Sequence, residues 1–170
     1  NLEIEWIPFV QNINLFISGV IDATLAMSYN EILQIRAAGY DISTAISIAD
    51  EGYDFPEDGL YVSEDYFRNN PQTVKAFADA SRKGWEWAQE HPEETLEIVM
   101  EKTHSNNIAT NRTHQKWMLE EVLKLNKDTE IGTATYTLKS DQVRRLSDLL
   151  VKHGMISKPV TYETITGQTL

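Results

Sequence analysis

The sequence predicts an α/β chain, and three observations carry that prediction. Seven mostly apolar residues, Ile21 to Met27, stand between Gly19 and a helix-opening signal, which suits a short strand covered on both faces. Around them, strand-like and helix-like patterns alternate through the first third of the chain, as in parallel βαβ units with right-handed crossovers. From Pro71 onward the apolar residues recur mainly at helical spacing.

In order, Leu2 to Phe9 carries Ile4, Trp6, Ile7 and Phe9 and reads as a strand with Pro8 near its end. Val10, Ile13, Phe16 and Ile17 give a short helix over 10–18 that Gly19 stops. The strand Ile21–Met27 then runs into a helix over 29–38, closed by Gly39. Ser28 and Glu31 have the S-x-x-E spacing of a capping box at that helix start. Ile42 to Ala49, rich in β-branched and small residues, reads as a further strand. Asp50 to Gly59 is an acidic loop, and Leu60 to Val62 a short strand. Ser63 caps a helical turn that ends at Asn70. Pro71 opens a long helix to about Glu90, with Val74, Phe77, Ala78, Ser81, Trp85 and Ala88 as its apolar stripe. Further helices run from His91-Pro92 to Lys102, from Asn111 to Leu125, and from a Ser140 cap to His153, where Gly154 stops the chain's last helix. Ile131 to Leu138 reads as extended or irregular, and 159–170 as a tail. Three short strands are too few for a two-sided sheet. The neighbours of Ile21–Met27 are therefore expected from a partner chain or from sequence preceding Asn1, where the chain starts abruptly.

Bulk properties narrow the function. At 170 residues, 41% hydrophobic and 24% charged, the composition is that of a globular chain. A formal charge of −11 provides no basic face for nucleic acid or an anionic membrane. Without cysteine there are no disulfides and no thiolate metal sites. No apolar run has the length of a spanning helix, and no signal segment is seen. The histidines His91, His104, His114 and His153 have no i, i+4 partner, so no metal or cofactor is expected. Glu93-Glu94 and Glu120-Glu121 read as solvated faces. No phosphate loop, nucleophile elbow or Ser–His–Asp order appears.

Candidate binding residues gather at the start of the second helix. Tyr29, Asn30 and Glu31 occupy a first helical turn at the carboxyl end of a strand, where ligands sit in open α/β sheets. An aromatic ring, an amide and a carboxylate together suit a small planar polar ligand. Ser28 and Glu31 serve either as a cap alone or as a cap that also touches ligand; the two roles of Glu31 require different rotamers. Gln11, Asn12 and Asn14 are caps and solvated residues or line the cleft. Asp58 and Tyr61 are turn residues or ligand contacts.

The order Gly19-Val20-Ile21-Asp22-Ala23, Tyr29-Asn30-Glu31, Pro56-Glu57-Asp58-Gly59-Leu60-Tyr61-Val62, Asn70-Pro71-Gln72-Thr73-Val74-Lys75-Ala76-Phe77 and His91-Pro92-Glu93-Glu94 resembles the second half of a solute-binding protein of an ABC importer with the type II periplasmic-binding fold. The resemblance runs from about Leu2 to Ile156. Its first and fourth stretches are shared by many branches, sulfonate and taurine binders among them. Tyr29-Asn30-Glu31 and Asn111-Arg112-Thr113-His114-Gln115-Lys116-Trp117-Met118-Leu119 point to the branch that binds pyrimidine precursors of thiamin, which is related to the yeast pyrimidine synthase.

The resemblance implies a partial fold: residues 1–62 as the βαβαβ portion of the second lobe with the hinge return, 63–158 as a mostly helical portion packing on the first lobe, and 159–170 as a tail. It implies a small-molecule ligand gripped by Tyr29, Asn30, Glu31, Ser28, Asn12, Asp58 and Tyr61. A membrane permease is the implied partner, together with a missing N-terminal lobe or partner chain. The implied location is the periplasm, or the outer surface through a lipid anchor. Transport, without catalysis, is the leading expectation. A ligand-sensing input domain and a pyrimidine-synthase-like enzyme are the alternatives.

Overall fold

The computed structural model describes residues 3–8, 12–56, 58–126 and 136–167. Among them are eight helices and no β-strand: α1 (Asn14–Ile17), α2 (Glu31–Ala37), α3 (Glu64–Asn69), α4 (Pro71–Glu90), α5 (Pro92–Ser105), α6 (Arg112–Leu125), α7 (Ser140–Lys152) and α8 (Tyr162–Thr166). The α/β expectation, with its βαβαβ portion, is thereby overturned. Ile21–Met27, Ile42–Ala49, Leu60–Val62 and the described part of Leu2–Phe9 are irregular or turned backbone.

The physical reason is that an apolar, β-branched stretch becomes a strand only when a neighbour accepts its ladder. Here the expected strands meet none, and local partners win. Around the first, Val20 and Ile21 donate their N–H groups back to the Leu15 carbonyl, at 2.9 and 3.4 Å. The expected strand at Ile42 is broken by its own polar neighbours. Asp41 accepts from the Ser43 N–H at 2.9 Å and from the Ser43 hydroxyl at 2.6 Å, and Ala45 N–H turns back to the Ile42 carbonyl. These bonds from Ser43 also hold the Asp41 carboxyl below the usual carboxylate range. Several of their large side chains stay in water: Leu25, Ile46 and Tyr61 are 64%, 78% and 82% exposed.

The helices follow their punctuation. The Ser63 hydroxyl accepts from Tyr66 N–H at 3.3 Å and opens α3. Pro71 takes the first position of α4, where a missing N–H costs nothing. Gly39 (φ +88°) and Gly154 (φ +69°) lie just past the ends of α2 and α7 in the left-handed conformation that stops a helix. Two starts are displaced. Helix α2 begins at Glu31, with Asn30 and not Ser28 at the cap position. Lys139, not Ser140, precedes α7, and the Gln142 amide oxygen reaches back to the Lys139 N–H at 3.1 Å. The expected starts at Leu2 and Val10, the candidate Gln11, Glu57 and most of 131–138 lie outside the described residues.

The chain forms two compact units. One comprises Asn1–Ala45 with Ala88–Lys127. Its buried apolar residues are Ile13, Leu33, Ile35, Ala88 and Leu96, and α5 packs on α6. The other comprises Ile46–Trp87 with Asp128–Leu170. There α7 packs on α8, and the buried Ser147 hydroxyl accepts from Val160 N–H at 2.7 Å. Arg145 lies over the Phe55 ring, 5.5 Å from its centroid, and donates to the Gly52 carbonyl at 3.3 Å. In α4 the expected apolar stripe is largely uncovered: Ala88 is buried, while Phe77 is 63% exposed.

Leu96, on α5, is 1% exposed, so truncating it leaves a cavity as well as losing transfer energy. Leu96→Ala is expected to lower unfolding free energy by about 2–5 kcal/mol in a denaturant titration. The exposed Phe77→Ala is expected to change it by less than about 0.5 kcal/mol.

Candidate functional site

The first unit brings the head of α2 to the head of α6. Upstream of α2, the Met27 carbonyl accepts from Asn30 N–H at 3.1 Å and Ile32 N–H at 3.3 Å, which coils residues 27–30 into a turn. Glu31 reaches back across that turn. Its Oε2 accepts from Met27 N–H at 2.9 Å and its Oε1 from Asn30 Nδ2 at 3.1 Å. This carboxylate therefore reaches back as the sequence suggests, but to one residue before the Ser28 N–H, and no side chain at the Asn30 cap position accepts a backbone N–H in return.

The other face of that amide meets two donors. Gln34 Nε2, one helical turn on, donates to Asn30 Oδ1 at 2.8 Å, and His114 Nε2 stands 2.8 Å from the same oxygen. His114 is placed by its own helix start. Asn111 caps α6, its Oδ1 accepting from His114 N–H at 2.9 Å, and so sets the histidine in the first turn. A second tie lies further along both helices, where the Arg36 guanidinium stacks 5.6 Å from the Trp117 ring centroid.

Helix α6 is in turn fastened to α5. Glu93 accepts from Lys116 Nζ at 2.8 Å and from Arg112 at 3.4 Å, and Arg112 also pairs with Glu97 at 2.6 Å. The end of α4 adds a tie of its own, Gln89 donating to the Leu123 carbonyl of α6 at 3.0 Å. The Lys116 hydrogen bond and charge, with Arg112 beside them, hold the Glu93 carboxyl below the usual glutamate range; Glu93 in return raises the Lys116 ammonium. Along one face of α6, Arg112, Thr113, Lys116, Trp117 and Glu120 line an open cleft of about 310 Å³. Among the described residues no group of three or more His, Asp or Glu side chains is placed to hold a metal ion, and no helix is long and apolar enough to cross a membrane.

The family model described as NMT1/THI5 like matches residues 3–95, more than half of the chain, with Tyr29, Asn30 and Glu31 inside the match. The chain belongs to the NMT1/THI5-like family. No curated protein and no solved structure matches it. The NMT1/THI5-like family is periplasmic-binding-protein-like, and membership fits a solute-binding role in thiamin precursor transport or synthesis.

Within this NMT1/THI5-like chain the candidate residues divide. Ser28, Tyr29 and Asn30 form the turn before α2 and Glu31 is its first residue, with Ser28 exposed and the other three half-buried. Asn12, in the same unit, is exposed, and its Oδ1 accepts from Asn14 N–H at 3.1 Å as a local turn. Asp58 and Tyr61 are exposed residues of the other unit. The residues that sequence reasoning passed over are Gln34 and His114. The signal for His114 was present in Asn111, a cap residue three positions before it, but nothing local says what the ring meets.

Stability is expected to depend on pH through Glu93. A carboxyl depressed in the folded chain stabilises it above the unfolded glutamate pKa, and that contribution is lost as pH falls through the folded value. Thermal melts between about pH 7 and about pH 3 are expected to show a shallower acid decline for Glu93→Gln than for the parent. Equal declines would remove Glu93 as the source.

Proposed function

We propose that this chain is part of a binding protein that delivers a small heteroaromatic, polar solute, a pyrimidine precursor of thiamin, to an ABC importer. The observation that carries the reading is the hydrogen-bonded pair Asn30–Glu31 at the head of α2, with Tyr29 beside it, in a chain of the NMT1/THI5-like family. The amide nitrogen of Asn30 has two protons, of which Glu31 takes one. Each Glu31 oxygen keeps acceptor capacity beyond the bond it makes. A planar ring with an exocyclic amine can stack on the tyrosine while its amine donates to the carboxylate.

In this reading the chain binds and hands over its solute without transforming it. It corresponds to the second half of the binding protein, and it works in the periplasm or on the outer cell surface through a lipid anchor, with a membrane permease as its partner. The other jaw of the clamp comes from residues outside this chain. Affinity then comes from closure over a few convergent polar groups.

Calorimetry of the source protein with a hydroxymethyl aminopyrimidine tests the reading. Tyr29→Ala is expected to weaken binding by about tenfold, the loss of one aromatic stacking partner. Unchanged affinity removes Tyr29 from the site, and no binding by the parent overturns the assignment.

A further inference from the structure

We propose that His114 is a positioning residue that makes Asn30 a donor-only group, so that the site selects ligands presenting an acceptor beside a donor. The inference deepens the reading of the α2 turn as the ligand site and rests on it. An amide oxygen has two lone pairs. At Asn30 Oδ1 one is taken by Gln34 Nε2 and the other by His114 Nε2, each at 2.8 Å. The oxygen brings no proton to the second contact, so His114 must carry one on Nε2.

On the opposite side the amide is held by Glu31. Rotating it by half a turn would set its oxygen against Glu31 Oε1, now 3.1 Å from Nδ2, and oppose partial negative charge to a carboxylate. Glu31 therefore fixes which way the Asn30 amide faces, and His114 closes its last acceptor position. One Nδ2 proton remains to read an acceptor on the ligand. The open lone pairs of Glu31 read a donor. The edge of an aminopyrimidine, a ring nitrogen next to an exocyclic amine, offers that pair; an edge with two acceptors does not.

His114 does this without touching the ligand. It comes from another helix, 84 residues away in the chain, and the Asn111 cap and the Arg36–Trp117 stack hold that helix in place. Without the imidazole, Asn30 Oδ1 regains a free lone pair and the residue can accept as well as donate.

Two readouts on the intact chain test this. Nitrogen-15 spectra without ligand are expected to show His114 protonated on Nε2. The Asn30 side-chain amide resonances should shift in His114→Ala and return toward the parent in His114→Gln, whose amide nitrogen can replace the Nε2 donor. Calorimetry then compares 4-aminopyrimidine with pyrimidin-4(3H)-one, which presents an N–H donor where the amine compound presents its ring nitrogen. The parent is expected to prefer the amine, His114→Ala to lose about tenfold of that preference because Asn30 can then accept, in line with one hydrogen bond, and His114→Gln to regain it. Asn30 resonances or a preference indifferent to His114→Ala overturn the inference. If that variant does not fold, a parent histidine protonated only on Nδ1 overturns it. If the parent binds neither pyrimidine, the ligand reading fails, and the Asn30 resonances alone decide the role of His114.

Discussion

A single amide oxygen, Asn30 Oδ1, joins the head of α2 to the head of α6. It accepts from its own helix through Gln34 and from the other through His114. The rest of the first unit leads to that point. Leu96 buries α5, the Glu93 and Glu97 carboxylates of α5 hold Arg112 and Lys116 of α6, and the Asn111 cap aims the histidine. Each contact alone is modest, since a half-buried hydrogen bond contributes only about 1 kcal/mol. Together they fix the Asn30 amide and the Glu31 carboxylate side by side at the head of α2.

What could be read from the sequence was what is decided locally. Ser63, Pro71, Asn111, Gly39 and Gly154 act through bonds or torsions within a few residues, and the helices they bound lie close to where the sequence places them. The strands failed for the complementary reason. Whether Ile21–Met27 becomes β structure depends on a neighbour that no residue within it encodes, and 42–49 carried a contrary signal in Asp41 and Ser43, whose side chains favour a turn. The β-branched content of 42–49 favours a strand, and the local turn bonds of Asp41 and Ser43 outweigh it.

The site divides along the same line. Tyr29, Asn30 and Glu31 are consecutive, so their proximity needed no fold. The Glu31 cap was foreseen in kind but placed one residue late, because Asn30 and not Ser28 precedes the first helical residue. His114 was legible as a helix-start residue and illegible as a partner of Asn30, a contact made only in the folded unit. Family membership adds weight to the α2 turn and is silent on α6, since the match ends at residue 95.

The fastening of α6 to α5 relies on ions that stand in water: Glu93, Glu97, Arg112 and Lys116 all keep about half or more of their side-chain surface exposed. Attractions of that kind fade when the surrounding electrolyte rises, over a Debye length of about 8 Å at physiological concentration and about 3 Å at molar concentration. The medium's ionic strength thus acts on the Asn30 amide from a distance, loosening the helix that carries its histidine while leaving every group in the α2 turn unaltered.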